Sequence, residues 1–405
     1  MVEAVKEPMT VKTRLSVLVL STPILIFVVV GGLMGKTSAR GDDSLQNLRV
    51  FQDVVGLVLN YYVEEVKIDK AMEGAMKGLA DGLDPDSAYL NAKMLADVQS
   101  TAPQPEGDVG LELTRQYYLR VISARDGSPA AKAGLQTGDY VRGIDGRSTR
   151  EISVLEGTRL LRGQPGSKVM LTVIRGNAAE PHEITLVREK PGSVAVSGRM
   201  VGTDIGYVRI ATFRNGVVDQ LKKQVADLSH AGAKSIIVDV RHTAEGSYEN
   251  GIDAARLFVK SGTLVMKGGR ESDKDKNADA AREKITAAPG DGSIELPVQV
   301  LTTTGTSGAA ELFAAALSGN KRAELVGERT LGRAGIQKLV RLPENRGLWL
   351  TYARYLTPAG EAIQGKGLKP GVDVEDVDVT EFGAPAPDKD PILDAAIARA
   401  SKKAD

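Results

Sequence analysis

A chain of 405 residues, 42% hydrophobic and 26% charged, has the length for two or three domains and the composition of a globular protein. Its 52 basic and 52 acidic residues cancel, so no net field draws it toward nucleic acid. No cysteine is present, which excludes disulfides, thiolate catalysis and Cys-ligated zinc, and the three histidines (His182, His230, His242) lack metal-ligand spacing. No full phosphate-cradling motif occurs, the Gly-Lys-Thr at 35–37 lacking the glycine five places before its own, so no metal, no cofactor and no ATP dependence are expected.

In chain order, residues 15–35 form an uncharged apolar run of about the length that spans a bilayer, preceded by Lys6, Lys12 and Arg14. This predicts a single-pass anchor with the N-terminus in the cytoplasm and the bulk of the chain on the extracytoplasmic, periplasmic side of the cell membrane. Residues 1–43 would hold the anchor and a linker. A helical region, 44–105, follows, with apolar spacing over Leu45–Val66 and Ile68–Leu83, the latter stopped by Asp84-Pro85.

Residues 106–190 read as a β-rich module, with strands at Tyr118–Ile122, Val169–Ile174 and His182–Val187 and a helix at Val154–Leu161. Residues 191–380 alternate strands and helices: strand Ile205–Ile210, helix Val217–His230, strand Ser235–Val240, helix Ile252–Val259, strand Val298–Leu301, helix Ala309–Leu317 and strand Glu324–Val326. That alternation predicts an α/β core of mixed sheet with helices. The charged run Arg270–Lys276 reads as a solvated loop, and residues 381–405 as a C-terminal helical tail.

The stretch Ser128-Pro-Ala-Ala-Lys-Ala-Gly-Leu-Gln-Thr-Gly-Asp139 with Ile144-Asp-Gly146 resembles the hallmark of PDZ domains in bacterial proteases. Such domains bind an extended C-terminal peptide by strand addition and hold its carboxylate with loop amides. The resemblance places peptide binding on Val109, Gly110, Leu111 and Leu113. From about 44 to 377 the chain is similar to the carboxy-terminal processing peptidases, serine proteases of family S41. The similarity is carried by Leu83-Asp-Pro-Asp-Ser-Ala-Tyr89, Leu161-Arg-Gly-Gln-Pro-Gly166, Val326-Gly-Glu-Arg-Thr-Leu-Gly332 and Tyr355-Leu-Thr-Pro-Ala-Gly360. It implies cleavage by a Ser-Lys pair supported by Gln, with backbone amides forming an oxyanion hole.

The residues depart from that pattern. The family's Gly-Ser/Thr-Ala-Ser-Ala-Ser-Glu motif, set on Glu311, puts the nucleophile position on Gly308, with Ser307 one place earlier. The family's lysine falls on Arg333, and its supporting Gln on Gln337. Arginine, with a pKa above about 12, cannot act as a neutral base. The oxyanion hole would comprise Ala309 and the loop bearing Glu245 and Gly246, where Glu245 brings a negative charge that would oppose an oxyanion. The expected function is a pseudoprotease that binds peptides or protein C-termini and regulates or assembles with partners, such as further copies of itself or an active paralogue. One alternative is an active endopeptidase using Ser307 with Lys321 or Lys338; another is a structural subunit of a membrane complex.

Overall fold

The computed structural model describes residues 39–176, 180–269, 282–377, 382 and 389–404. Residues 1–75 and 76–405 form two separate units. In the first, α1 (Ala39–Tyr61) exposes Leu48, Val54 and Leu57. The expected single-pass membrane placement is corrected. Among the described residues no helix is long and apolar enough to cross a membrane, and residues 15–35, on which the expectation rested, lie outside them. The run Arg270–Lys276 lies outside them too.

The elements that follow are α2 (Ile68–Asp81), β1 (Ala88–Leu90), α3 (Ala92–Gln99), β2 (Leu111–Arg115), β3 (Leu119–Ala124), α4 (Pro129–Lys132), β4 (Tyr140–Ile144), β5 (Arg147–Ser148), α5 (Val154–Leu161), β6 (Lys168–Ile174) and β7 (His182–Val187). Strands β2–β7 form an antiparallel sheet in the order β2-β3-β4-β6-β7, with β5 hairpinned onto β4. Its core of Leu113, Leu119, Val121, Val141, Leu171 and Val173 comes from alternate strand positions that α5 covers. Helix α5 begins where the Ser153 hydroxyl accepts from the Glu156 N–H, a side-chain N-cap.

The rest of the chain adds β8 (Val196–Val201), β9 (Ile205–Ile210), α6 (Val217–His230), β10 (Ser235–Asp239), α7 (Tyr248–Arg256), β11 (Thr263–Gly269), β12 (Glu283–Thr286), β13 (Val298–Thr302), α8 (Ala309–Gly319), β14 (Ala323–Gly327), β15 (Gly335–Leu342), β16 (Arg346–Leu356), β17 (Val372–Asp373) and α9 (Pro391–Ala404). One sheet runs β17-β14-β13-β10-β9-β8, parallel except for β8. Its central strands are buried on both faces: Val208, Val238 and Val300 pack with α6, α7 and α8, while Ile237, Leu301 and Val326 pack with α9. Helix α8 is buried from Ala309 to Leu317, and its alanines admit close neighbours; a Cβ on Gly251 of α7 would lie 2.3 Å from the Ala309 carbonyl oxygen. A third, antiparallel sheet joins β1, β16, β11 and β12, with β15 on β16. The long β15–β16 hairpin, absent from the sequence reading, turns through left-handed Glu344 and Asn345. The architecture is the expected mixed α/β one, with several sheets and helices.

Candidate functional site

The site lies at the C-terminal ends of β10 and β13, where an open parallel sheet leaves its loops free to carry chemistry. After β13 the chain turns through residues 303–308 into α8. Thr306 fixes that turn: its hydroxyl accepts from Thr303 N–H at 3.0 Å and donates to the Val240 carbonyl at the end of β10, 2.9 Å away. Gly305 fits because a side chain there would collide with Thr137 Oγ1 at 2.5 Å and His242 Nδ1 at 2.7 Å.

Gly308, the N-cap of α8, has φ 63° and ψ −121°, a region essentially restricted to glycine. A Cβ there would have room, its nearest neighbours being Ala244 O at 3.4 Å and Tyr248 Cε1 at 3.9 Å. The turn therefore keeps a sharply angled, buried backbone with room for a Cβ in ordinary van der Waals contact and no side chain there. Ser307 points elsewhere. It is fully buried, its N–H donates to Thr243 O at 2.9 Å, and its Oγ has no hydrogen-bond partner among the described residues. Lys321 and Lys338 are both exposed, and the Lys338 ammonium lies over the Tyr352 ring.

Glu311, one turn into α8, is fully buried and accepts from four donors: Gly308 N–H (3.1 Å), Gly332 N–H (2.7 Å), Arg333 N–H (2.8 Å) and the Thr330 hydroxyl. Burial raises its carboxyl above the ordinary range, against the opposing pull of these donors. This one side chain fixes the loop carrying Arg333 against the turn carrying Gly308.

The Arg333 guanidinium is bound on both sides. Its Nε and Nη2 meet Asp86 Oδ1 at 3.0 and 2.8 Å, and its Nη1 lies 3.6 Å from Glu112 Oε2 on β2. Burial alone would lower its pKa, but Asp86 and Glu112 outweigh that and hold it above its ordinary value. Burial pushes the Glu112 carboxyl up to about 7, against the attraction of Arg333. Gln337 does not turn to Arg333; it donates to Thr351 Oγ1 at 3.1 Å, which donates to Asp84 at 3.2 Å. Sequence reasoning missed Asp86 and Glu112 as partners of Arg333. The Asp84-Pro-Asp-Ser87 block carried a signal for Asp86, whereas nothing local marked Glu112.

Among the described residues no acceptor meets the N–H groups of Ala309 and Gly246. Glu245 differs from expectation in one respect: the charge expected to face an oxyanion is held by two guanidinium groups. Arg125 of the β2–β7 sheet contacts both its oxygens, at 2.9 and 3.2 Å, and Arg214 contacts Oε1. Asp108 joins the same cluster, 2.8 Å from Arg125 and 3.1 Å from Arg214. Next to it lies the loop 108–111, in which left-handed Gly110 admits no side chain, since a Cβ would sit 2.3 Å from Ser128 Cβ. Val109, Gly110 and Leu111 line a cavity there, and no acceptor meets the Val109 and Gly110 N–H groups among the described residues. Leu113 is buried in the sheet's own core and does not line that cavity.

A PDZ-type sheet laid against a parallel α/β core, with a strand-to-helix turn opposite a basic loop, defines a PDZ-bearing peptidase scaffold. The family model for PDZ domains matches residues 120–175, and that for peptidase family S41 matches residues 204–374. The chain is 32% identical over 344 residues to a carboxy-terminal-processing protease of Bartonella bacilliformis, covering 84% of this chain and 77% of that one. It is 31% identical over 312 residues to a carboxyl-terminal-processing protease of Synechocystis, covering 75% and 71%. Among solved structures, the photosystem II D1 C-terminal processing protease superposes with a TM-score of 0.65 at 27% identity, over 78% of this chain and 85% of that one. The chain belongs to peptidase family S41, as its sequence resemblance implied.

Proposed function

We propose that this member of the family is a pseudoprotease: it holds peptides or protein C-termini in its PDZ groove and acts by binding, not by cutting. The observation that carries this reading is the pair Gly308 and Arg333. Gly308 offers no hydroxyl at the angled turn, and Arg333, ion-paired with Asp86 and Glu112, cannot give up a proton near neutral pH. A hydrolase needs a nucleophile and a group to take its proton within hydrogen-bond reach. Ser307 meets neither condition, being enclosed and without a partner while Lys321 and Lys338 stand in solvent. The uncommitted amides of Val109 and Gly110 are the kind of donors that hold a terminal carboxylate.

The test is to titrate the purified chain with fluorescent peptides that end in an apolar residue, as the free acid or the amide. The same protein is then incubated with an unstructured protein substrate, and intact masses are followed. Binding of the free acid, weaker binding of the amide and no cleavage are expected. Cleavage by the parent chain, lost in Ser307→Ala, would overturn the reading. A Gly308→Ser, Arg333→Lys variant that cleaves where the parent does not would strengthen it.

A further inference from the structure

The groove that would take a peptide is bordered by a carboxylate of the chain itself. Residues 108–112, Ser123, Arg125, Thr158, Leu161 and Arg162 of the PDZ domain line a cavity that Ala211 and Glu245 close from the S41 core. The remaining space is about 20 Å³, enough for about one water and too small for a peptide residue. The closing residue is an acid, and its carboxylate is gripped by Arg125, a cation lining the cavity, and by Arg214.

We propose that Glu245 is an internal competitor of the ligand: its side-chain carboxylate, held on Arg125 beside the open Val109 and Gly110 amides, blocks the approach of a peptide's terminal carboxylate to them and keeps the groove shut. The inference rests on the peptide-binding reading above for what it excludes, and on the ion cluster alone for the closure. Asp108, Arg125, Arg214 and Glu245 alternate in sign, and all are largely buried, with side-chain exposures of 16%, 10%, 31% and 16%. Two acids and two bases leave the cluster neutral. Separating these enclosed charges in place would leave buried charge uncompensated, so the contact works as a lock between domain and core. The main chain that presents Glu245 is itself held in place. Its carbonyl accepts from Phe213 N–H at 2.7 Å, and a Cβ on the next residue, Gly246, would lie 2.4 Å from the Phe213 backbone. An incoming peptide must therefore break the Arg125–Glu245 contact, which adds a threshold to its affinity.

Two readouts on the full chain test this. Glu245→Gln keeps the shape and removes the charge. It should bind the free-acid peptide about tenfold or more tightly than the parent, the weight of one charge-assisted hydrogen bond, with less gain for the amide. Amide hydrogen exchange over Leu111–Arg115, measured without any peptide, should become faster in the same variant. Arg214→Met, which removes one arm of the grip from the core side, should speed exchange in the same direction. Unchanged exchange in both variants overturns the lock. Faster exchange with no peptide bound by either parent or variant upholds the lock and overturns the peptide-binding reading. Equal peptide affinity of parent and Glu245→Gln overturns the competition.

Discussion

Replacing Gly308 by alanine isolates the backbone conformation at the angled turn from any chemistry there. With φ 63° and ψ −121°, a residue bearing a Cβ is strained by about 1–3 kcal/mol. Crowding adds little, because the new methyl would meet nothing closer than the Ala244 carbonyl at 3.4 Å. Alanine also restricts the unfolded chain, which returns about 0.4–1 kcal/mol. The net expectation is a loss of about 1–2 kcal/mol, or a melting point lower by about 2–8 °C in a domain of this size. Gly251→Ala serves as a contrast: its Cβ would collide with the Ala309 carbonyl at 2.3 Å, so its loss should be larger. Both are read by calorimetry and urea denaturation of the purified variants. A Gly308→Ala protein as stable as the parent, or more so, would mean that the backbone does not hold this angle, and the argument for a preserved nucleophile turn would fail.

Glu311→Ala leaves the Gly308, Gly332 and Arg333 N–H groups without their acceptor, at about 1–3 kcal/mol for each orphaned donor and less than the sum because they share one site. A urea midpoint shift worth more than about 3 kcal/mol is expected, and one below about 1 kcal/mol would deny the staple. Glu112 makes stability depend on pH. Its carboxyl titrates near 7 in the folded chain against 4.5 in an open one, so the folded state holds the proton more tightly. Its contribution is complete below about 4.5 and lost as pH rises to about 7. The melting-point difference between parent and Glu112→Gln, followed from pH 4 to 8, should fall across that window; a flat difference would reject the assignment.

The parts of the fold legible in the sequence were those written locally. Helices α5 and α6 match their expected bounds, Val154–Leu161 and Val217–His230, because an apolar stripe coincides with end signals such as Ser153 and Gly232. The β15–β16 hairpin was missed because its pairing is decided by packing beneath β1 and α3, and a turn through left-handed Glu344 and Asn345 carries no glycine to announce it. In the site, Gly308 and Arg333 could be placed because they stand in motifs with fixed spacing. Their environment could not: Arg333 and Asp86 lie 247 residues apart, and Arg125 and Glu245 lie 120 apart. Which charges neutralise each other across such distances is set by how the PDZ sheet lies against the core, and no window of sequence encodes that. The charge on Glu245 was therefore legible, and its direction was not.

The four-donor cradle of Glu311 has a mechanical meaning. A helix cap and a loop some twenty residues downstream are pinned to the two oxygens of one side chain, so they shift as a single piece. Side chains at positions 308 and 333 can therefore be exchanged without loosening the relative placement of the two backbones, because the carboxylate that joins them belongs to neither position and grips only main-chain N–H groups there.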